Sequence, residues 1–386
     1  MSTIPDKLHQ KLKNRVKDNS LRSLGNTASE VDFTSNDYLG FARNETIFSK
    51  TFQSLLNHNI AENGATGSRL LSGNHELYTV LEQKLEKFHD TEAALVFNSG
   101  YDANVGFFSA VPQRGDIIFY DEHIHASIRD GIGMSHAKSY KFSHNDLSAL
   151  QAKIETTHSV LDIEKDTVIY VVTESVFSMD GDIPDLKAFT KFCIAKGYRL
   201  IVDEAHAIGV LGKKGEGYVQ DLKLQKNIFA RIVTFGKAMG AHGAAILGSA
   251  DLKQYLINFS RSLIYSTGLP PHGVATIISA YTYLEEEGQV ERQELADKLK
   301  YFKEKVKKLK LEKYFVHSDA AIQSCVVPSN NKVIIVSEKL KDKGFDVKAI
   351  LPPTVPEGQE RLRFCVHSYN AKEEIGLVLE LLSRYL

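Results

Sequence analysis

Short apolar runs alternate with helical periodicities along most of the chain. The runs Ala93–Asn98, Asp116–Tyr120, Val168–Thr173, Arg199–Val202, Arg231–Thr234 and Ala244–Gly248 carry no consistent polar face. Such runs, separated by helices, predict a mostly parallel sheet covered on both sides, an α/β architecture. Ahead of them, Pro5 to Leu21 reads as a basic amphipathic helix leading into a polar linker. Beyond about Tyr265 the pattern changes. Val274–Glu286 and the Lys/Glu-rich Gln293–Lys310 read as helices, followed by short strands at Ala321–Val326, Lys332–Val336 and Arg361–Val366 and a last helix, Lys372–Leu386. The expected organisation is an N-terminal segment (1–40), a large domain (41–275) and a smaller α+β C-terminal domain (276–386).

Composition narrows the class without naming it. The chain has 386 residues, enough for two or three domains, and 47 Lys+Arg against 48 Asp+Glu. That balance asks for no nucleic acid or acidic membrane. The lysines of KLKYFKEKVKKLKLEKY alternate with glutamate and apolar positions and read as a solvated helix face. Three scattered cysteines, Cys193, Cys325 and Cys365, form neither a disulfide framework nor a metal knuckle and suit a reducing cytoplasm. The N-terminus is too polar for a signal peptide, and no run approaches the ~18 apolar residues of a membrane span.

Several motifs fail on inspection. Asp203-Glu204-Ala205-His206 spells the DEAH box of helicases, but that chemistry also needs G-x-x-x-x-G-K-[ST]. Lys214 follows Gly212-Lys213 and Ala238 follows Gly236-Lys237, and neither pair has the upstream glycine. His123-x-His125 lacks a third metal ligand at suitable spacing, and Asp180-Gly181-Asp182 reads as a tight turn. No metal is expected.

The ends of the predicted strands are more informative, because ligands of open α/β sheets sit outside the strands' carboxyl ends. Ala93–Asn98 runs into Ser99-Gly100-Tyr101, a helix start whose bare N–H groups suit a phosphate. The other strand ends bring His125, the Glu174–Ser178 stretch, Asp203 with His206, and Thr234 with Lys237. An acid, two histidines, a phosphate nest and a lysine on one sheet edge suit pyridoxal 5′-phosphate. The lysine amine attaches the group, the acid keeps the pyridine nitrogen protonated, and a flat side chain stacks on the ring.

The order SNDYLG (Ser35–Gly40), NSGYDAN (Asn98–Asn104), HAS (His125–Ser127), TESVFSMDGD (Thr173–Asp182), VDEAHAIGVLG (Val202–Gly212) and TFGKAMG (Thr234–Gly240) resembles the α-oxoamine synthases across nearly the whole chain. These are fold-type I pyridoxal-phosphate acyltransferases that join an amino acid to an acyl-CoA with loss of CO2. The resemblance implies that Lys237 carries the cofactor and shuttles the proton, and that Asp203 pairs with the ring nitrogen. It implies that His206 and Ser178 approach the ring oxygen and that His125 stacks on the ring. Ser99, Gly100, Tyr101 and Thr234 would hold the phosphate. Family members are homodimers with active sites at the interface, where Ser266 and Thr267 would reach the other subunit's phosphate.

For the substrate, the resemblance implies Asn36, His125 and the carboxylate-gripping Arg363. LIYSTGLPP (Leu263–Pro271) and PPTVPEG (Pro352–Gly358) are similar to the branch of the family that joins L-alanine to a pimeloyl thioester on the route to biotin. There Arg22 and Thr354 would contact substrate. Leu351 stands where that branch commonly has arginine, and Tyr78 where histidine is usual. The competing readings are a family member using glycine with acetyl-CoA or serine with a long acyl-CoA, an aminotransferase or a silent scaffold, and a helicase module. Neither CoA nor an acyl carrier protein is singled out as the acyl carrier.

Overall fold

The computed structural model describes residues 4–22, 24, 30–160 and 166–386. By contacts the chain divides into two units. The smaller comprises Met1–Ser35, Met179–Asp182 and Glu294–Leu386, and the larger Asn36–Ser178 and Ile183–Gln293. Sequence pattern puts the boundary near residue 276, whereas contacts divide the chain after Gln293.

Strand β1 (Val31–Asp32) belongs to the smaller unit. The larger unit holds β2 (Ala93–Phe97), β3 (Ile117–Asp121), β4 (Lys138–Phe142), β5 (Ile169–Glu174), β6 (Arg199–Asp203), β7 (Ala230–Thr234) and β8 (Ala244–Gly248). These form one sheet in the order β2-β8-β7-β6-β5-β3-β4. Strands β4, β3, β5, β6 and β7 run parallel to one another.

Alternating residues of the same strand feed two cores, one on each face. Ile118, Tyr170, Val172, Ile201 and Ile232 join one, with Phe107 and Ile128 from the helices Gly100–Ala110 and Ala126–Met134. Ile117, Phe119, Val171, Leu200 and Val202 join the other, with Leu186 and Phe189. Both faces are covered, which is why these strands show no polar alternation.

Three details depart from the sequence pattern. Strand β8 is antiparallel to both neighbours. Only residues 235–243 separate it from β7, too few for the dozen or so that a parallel crossover needs. Strand β4 escapes the apolar pattern because it lies at the sheet's edge with exposed lysines, Lys138 and Lys141. The strand expected at Lys332–Val336 is instead part of the helix Asn330–Lys341, which buries Val333, Val336 and Leu340. Spacings of three and four on one face outweigh the β-branched composition of NKVIIV.

The smaller unit adds β9 (Ile322–Val326), β10 (Phe345–Asp346), β11 (Lys348–Ile350) and β12 (Arg361–Cys365). Strands β11, β12 and β9 form an antiparallel sheet, and β10 pairs in parallel with β1.

One buried ion pair ties the larger sheet's central strands together. Arg231 of β7 donates from Nε to Oε2 of Glu204 at 2.7 Å, and its Nη2 lies 2.6 Å from the same oxygen. Its other hydrogens reach the carbonyls of His89 and Glu216, each at 3.1 Å. Glu204 also accepts from the Val219 N–H at 2.9 Å. Gly217, at φ +97°, permits this approach, since a Cβ there would meet the Glu204 carboxylate oxygens at 2.8 Å and 2.9 Å. Arg231→Met should therefore destabilise the protein by roughly 3–5 kcal/mol in denaturant unfolding, because it strands a buried carboxylate. Adding Glu204→Leu should recover much of that loss. Equal midpoints for wild type and Arg231→Met would refute the pair's role.

Candidate active site

At the carboxyl ends of β5, β6 and β7 the larger unit opens a cleft of about 230 Å³. Of the residues expected from the sequence, Ser99, Gly100, Tyr101, His125, Asp203, His206, Thr234 and Lys237 all line it. Strand alternation explains the selection. Asp203 shares a strand face with Ile201, and Thr234 with Ile232. Glu204, one residue beyond Asp203, is spent on Arg231 in the core. Of the Asp–Glu pair that a helicase needs, only the aspartate reaches the cleft.

Each wall has its own support. Asp203 is buried, accepting from the Ala205 N–H at Oδ1 (2.9 Å) and from Asn104 Nδ2 at Oδ2 (2.9 Å). His206 is buried too, its Nδ1 2.7 Å from the Tyr38 hydroxyl. That hydroxyl in turn donates to Oδ1 of Asn36 at 3.2 Å, joining SNDYLG to the site. His125 is open to the cleft and caps the helix Ala126–Met134, its Nδ1 accepting from the Ser127 N–H. The protein around the ring still desolvates it enough to hold the imidazole below its ordinary value. Burial pushes the Glu174 carboxyl well up, the Asp203 charge adds to this, and Lys237 opposes it.

Ser99 caps the helix Gly100–Ala110 by accepting from the Asp102 N–H at 3.0 Å, so the N–H groups of the first turn face the cleft's end. Gly100 has no room for a side chain, because a Cβ would stand 2.7 Å from Cγ2 of Thr234.

The remaining expected residues lie elsewhere. Ser178 is half-buried outside the lining. Ser266 and Thr267 are also outside it, in a segment pinned by the Ser68–Thr267 bridge and by Asn98 Nδ2 donating to the Thr267 carbonyl at 2.6 Å. Tyr78 is bonded to the chain just beyond that segment. Its hydroxyl accepts from the Leu269 N–H at 2.7 Å, and the Arg69 guanidinium lies 3.9 Å from its ring centre. Arg22, Thr354 and Arg363 belong to the smaller unit. Arg22 and Thr354 are exposed, and Arg363 is buried on β12 with Nη1 3.0 Å from Cys365 Sγ. Among the described residues no cluster of His, Cys, Asp or Glu is arranged to hold a metal ion.

The sequence reading gave no site role to Asn104, Ser127, Glu174 and His242, all in the lining. The first three stand inside the quoted motifs, but only the folded contacts give them work. His242 carries no sequence signal.

The donors fit a flat, phosphate-bearing cofactor. A helix N-terminus and Thr234 frame a small cradle, a carboxylate and an imidazole are held in place nearby, and a lysine lies beside them. Asn104 Oδ1 is buried in the same lining without a hydrogen-bond partner.

Residues 28–379 match the family model of aminotransferases of class I and II. The chain is 38% identical to 8-amino-7-oxononanoate synthase of Emericella nidulans, with 93% of this chain and 90% of that protein covered. It is 37% identical to the enzyme of the same name from Trichlorobacter lovleyi, with 95% and 93% covered. Among solved structures, 8-amino-7-oxononanoate synthase from Francisella tularensis superposes with a TM-score of 0.76 at 32% identity, covering 92% of this chain and 97% of that one. Serine palmitoyltransferase from S. paucimobilis, solved with bound PLP, superposes with a TM-score of 0.88 at 24% identity, covering 98% and 96%, a likeness of fold. The chain belongs to the aminotransferase class I and II family and has the fold-type I architecture.

Proposed function

We propose that this protein is an 8-amino-7-oxononanoate synthase, a pyridoxal-phosphate-dependent acyltransferase of biotin synthesis. It joins the α-carbon of L-alanine to the acyl carbon of a pimeloyl thioester, expels the thiol and releases the alanine carboxylate as CO2. The observation that carries the reading is the gathering of Lys237, Asp203, His206 and His125 in one cleft. It accompanies more than 35% identity to proteins of that name over nine-tenths of the chain.

When bound, pyridoxal 5′-phosphate supplies an electron sink for the carbanion at the amino acid's α-carbon. Lys237 would hold the group through its amine, and the same amine takes the α-proton of alanine and returns one after CO2 has left. Asp203, fixed by two N–H donors, would keep the pyridine nitrogen protonated. His206 and Ser178 would serve the ring oxygen, and His125 the ring face. Ser99, Gly100, Tyr101 and Thr234 would hold the phosphate. Arg363 would grip the amino-acid carboxylate, a task suited to a guanidinium fork. Asn36, Arg22 and Thr354 complete the proposed substrate contacts.

The protein would work as a homodimer, with Ser266 and Thr267 serving the other subunit's phosphate. One observation favours a second copy. On the helix Glu45–Asn57, Phe48, Phe52 and Leu56 are 78%, 61% and 53% exposed, an apolar stripe at spacings of four. We place the enzyme in the cytoplasm. No helix among the described residues is long and apolar enough to cross a membrane, and the three cysteines are buried and in no disulfide.

Three experiments test these readings. Purified holoenzyme given pimeloyl-CoA should release thiol with L-alanine and not with glycine or L-serine, and release with glycine or serine instead would discard the named substrate. Lys237→Ala should lose both turnover and the yellow absorbance, and a variant that stays yellow after dialysis and still turns over would remove Lys237 from its role. Sedimentation should find a dimer that Phe52→Glu shifts towards monomer; a monomeric, active wild type would overturn the dimer.

A further inference from the structure

One continuous hydrogen-bonded path runs along the floor of the cleft, and Asn104 stands at its centre. The Asn104 amide nitrogen lies 2.9 Å from Oδ2 of Asp203 and 3.0 Å from Oγ of Ser127. An amide NH2 has two hydrogens and only donates. The reverse orientation of the amide would set its oxygen against the Asp203 carboxylate, acceptor against acceptor. Ser127 Oγ therefore accepts from Asn104, and its own proton is left for Nδ1 of His125, 2.7 Å away.

A second donor meets the same atom. The Ser127 backbone N–H points at Nδ1 from 3.2 Å, and a backbone N–H cannot accept. With two donors converging on it, Nδ1 must present its lone pair. The surrounding desolvation disfavours a doubly protonated ring, so the one ring proton sits on Nε2. The path is anchored at both ends. Glu174 Oε1 accepts from the His125 N–H at 2.5 Å, and Asp203 Oδ1 accepts from the Ala205 N–H at 2.9 Å.

We infer that Asn104 and Ser127 are positioning residues that jointly set the direction of the Asp203 carboxylate and lock His125 in its Nε2–H tautomer. The groups assigned to the cofactor's ring nitrogen and to its ring face are thereby one coupled unit. Asn104 and Ser127 act through Asp203 and His125. The inference rests on the reading that those two residues serve the cofactor.

The test uses the holoenzyme labelled with 15N-histidine. Two-bond 1H–15N correlation separates the two neutral tautomers, and His125→Asn identifies the His125 signal among the 14 histidines of the chain. The wild type should show an unprotonated Nδ1 and a protonated Nε2. Ser127→Ala removes one of the two donors and should bring in the Nδ1–H form, while Ser127→Thr keeps the hydroxyl and should restore the wild-type pattern. Asn104→Ala should disturb the tautomer in the same way. It should also weaken pyridoxal-phosphate binding to the apoenzyme roughly tenfold to a hundredfold, the range for a lost hydrogen bond to a charged group.

A wild-type His125 protonated on Nδ1 overturns the inference with no substitution needed. So do folded Ser127→Ala and Asn104→Ala variants whose His125 signals match the wild type. Failure of the cofactor reading looks different, because Lys237→Ala would then stay yellow while the tautomer of His125 was as described.

Discussion

The pair between Glu204 and Arg231 is the buried constraint beside which the cleft edge of the larger sheet is built. It joins the residue after β6 to β7, takes in the carbonyls of His89 and Glu216, and receives the Val219 N–H. The residue before Glu204 is Asp203, and Lys237 follows Arg231 by six positions. Asp203 of the cleft thus adjoins an ion pair buried in the core. Buried ion pairs seldom add net stability over an apolar alternative. This one fits a different purpose, since its fork of hydrogen bonds allows a single register between the strands.

The cleft extends that economy. Several of its groups are held by something one or two residues away. Ala205 holds Asp203, Ser127 holds His125, and Ser99 caps the helix that it begins. Short-range support of this kind explains why the residues cluster in brief motifs. A ring or carboxylate held by its own chain neighbours stays in place when distant parts of the protein change.

Much of this was legible in the sequence. The motifs marked the strand ends, and eight of the residues they named meet in the cleft. The roles of Asn104, Ser127 and Glu174 were not legible although these residues stand in those motifs, because their work depends on contacts with residues of other elements. Nothing in the spacing of Asn98–Asn104 says that Asn104 lies beside an aspartate 99 residues away. The misread strand at Lys332–Val336 and the unread strand Lys138–Phe142 share a cause. Composition signals strand or helix only when burial follows composition, and in one case a helix buries β-branched residues while in the other an edge strand buries little.

The antiparallel turn into β8 has a consequence for how the chain can vary. In the parallel part of the sheet each strand reaches the next through a helix and its flanking loops, which can lengthen or shorten without disturbing the strands. Lys237 lies in residues 235–243, held at both ends by β7 and β8, with Phe235 N–H bonded to the Gly243 carbonyl and Ala241 N–H to that of Phe235. An inserted residue there has no slack to occupy. It would turn the lysine away from the cleft or break the pairing, so this stretch should tolerate changes of residue type far better than changes of length.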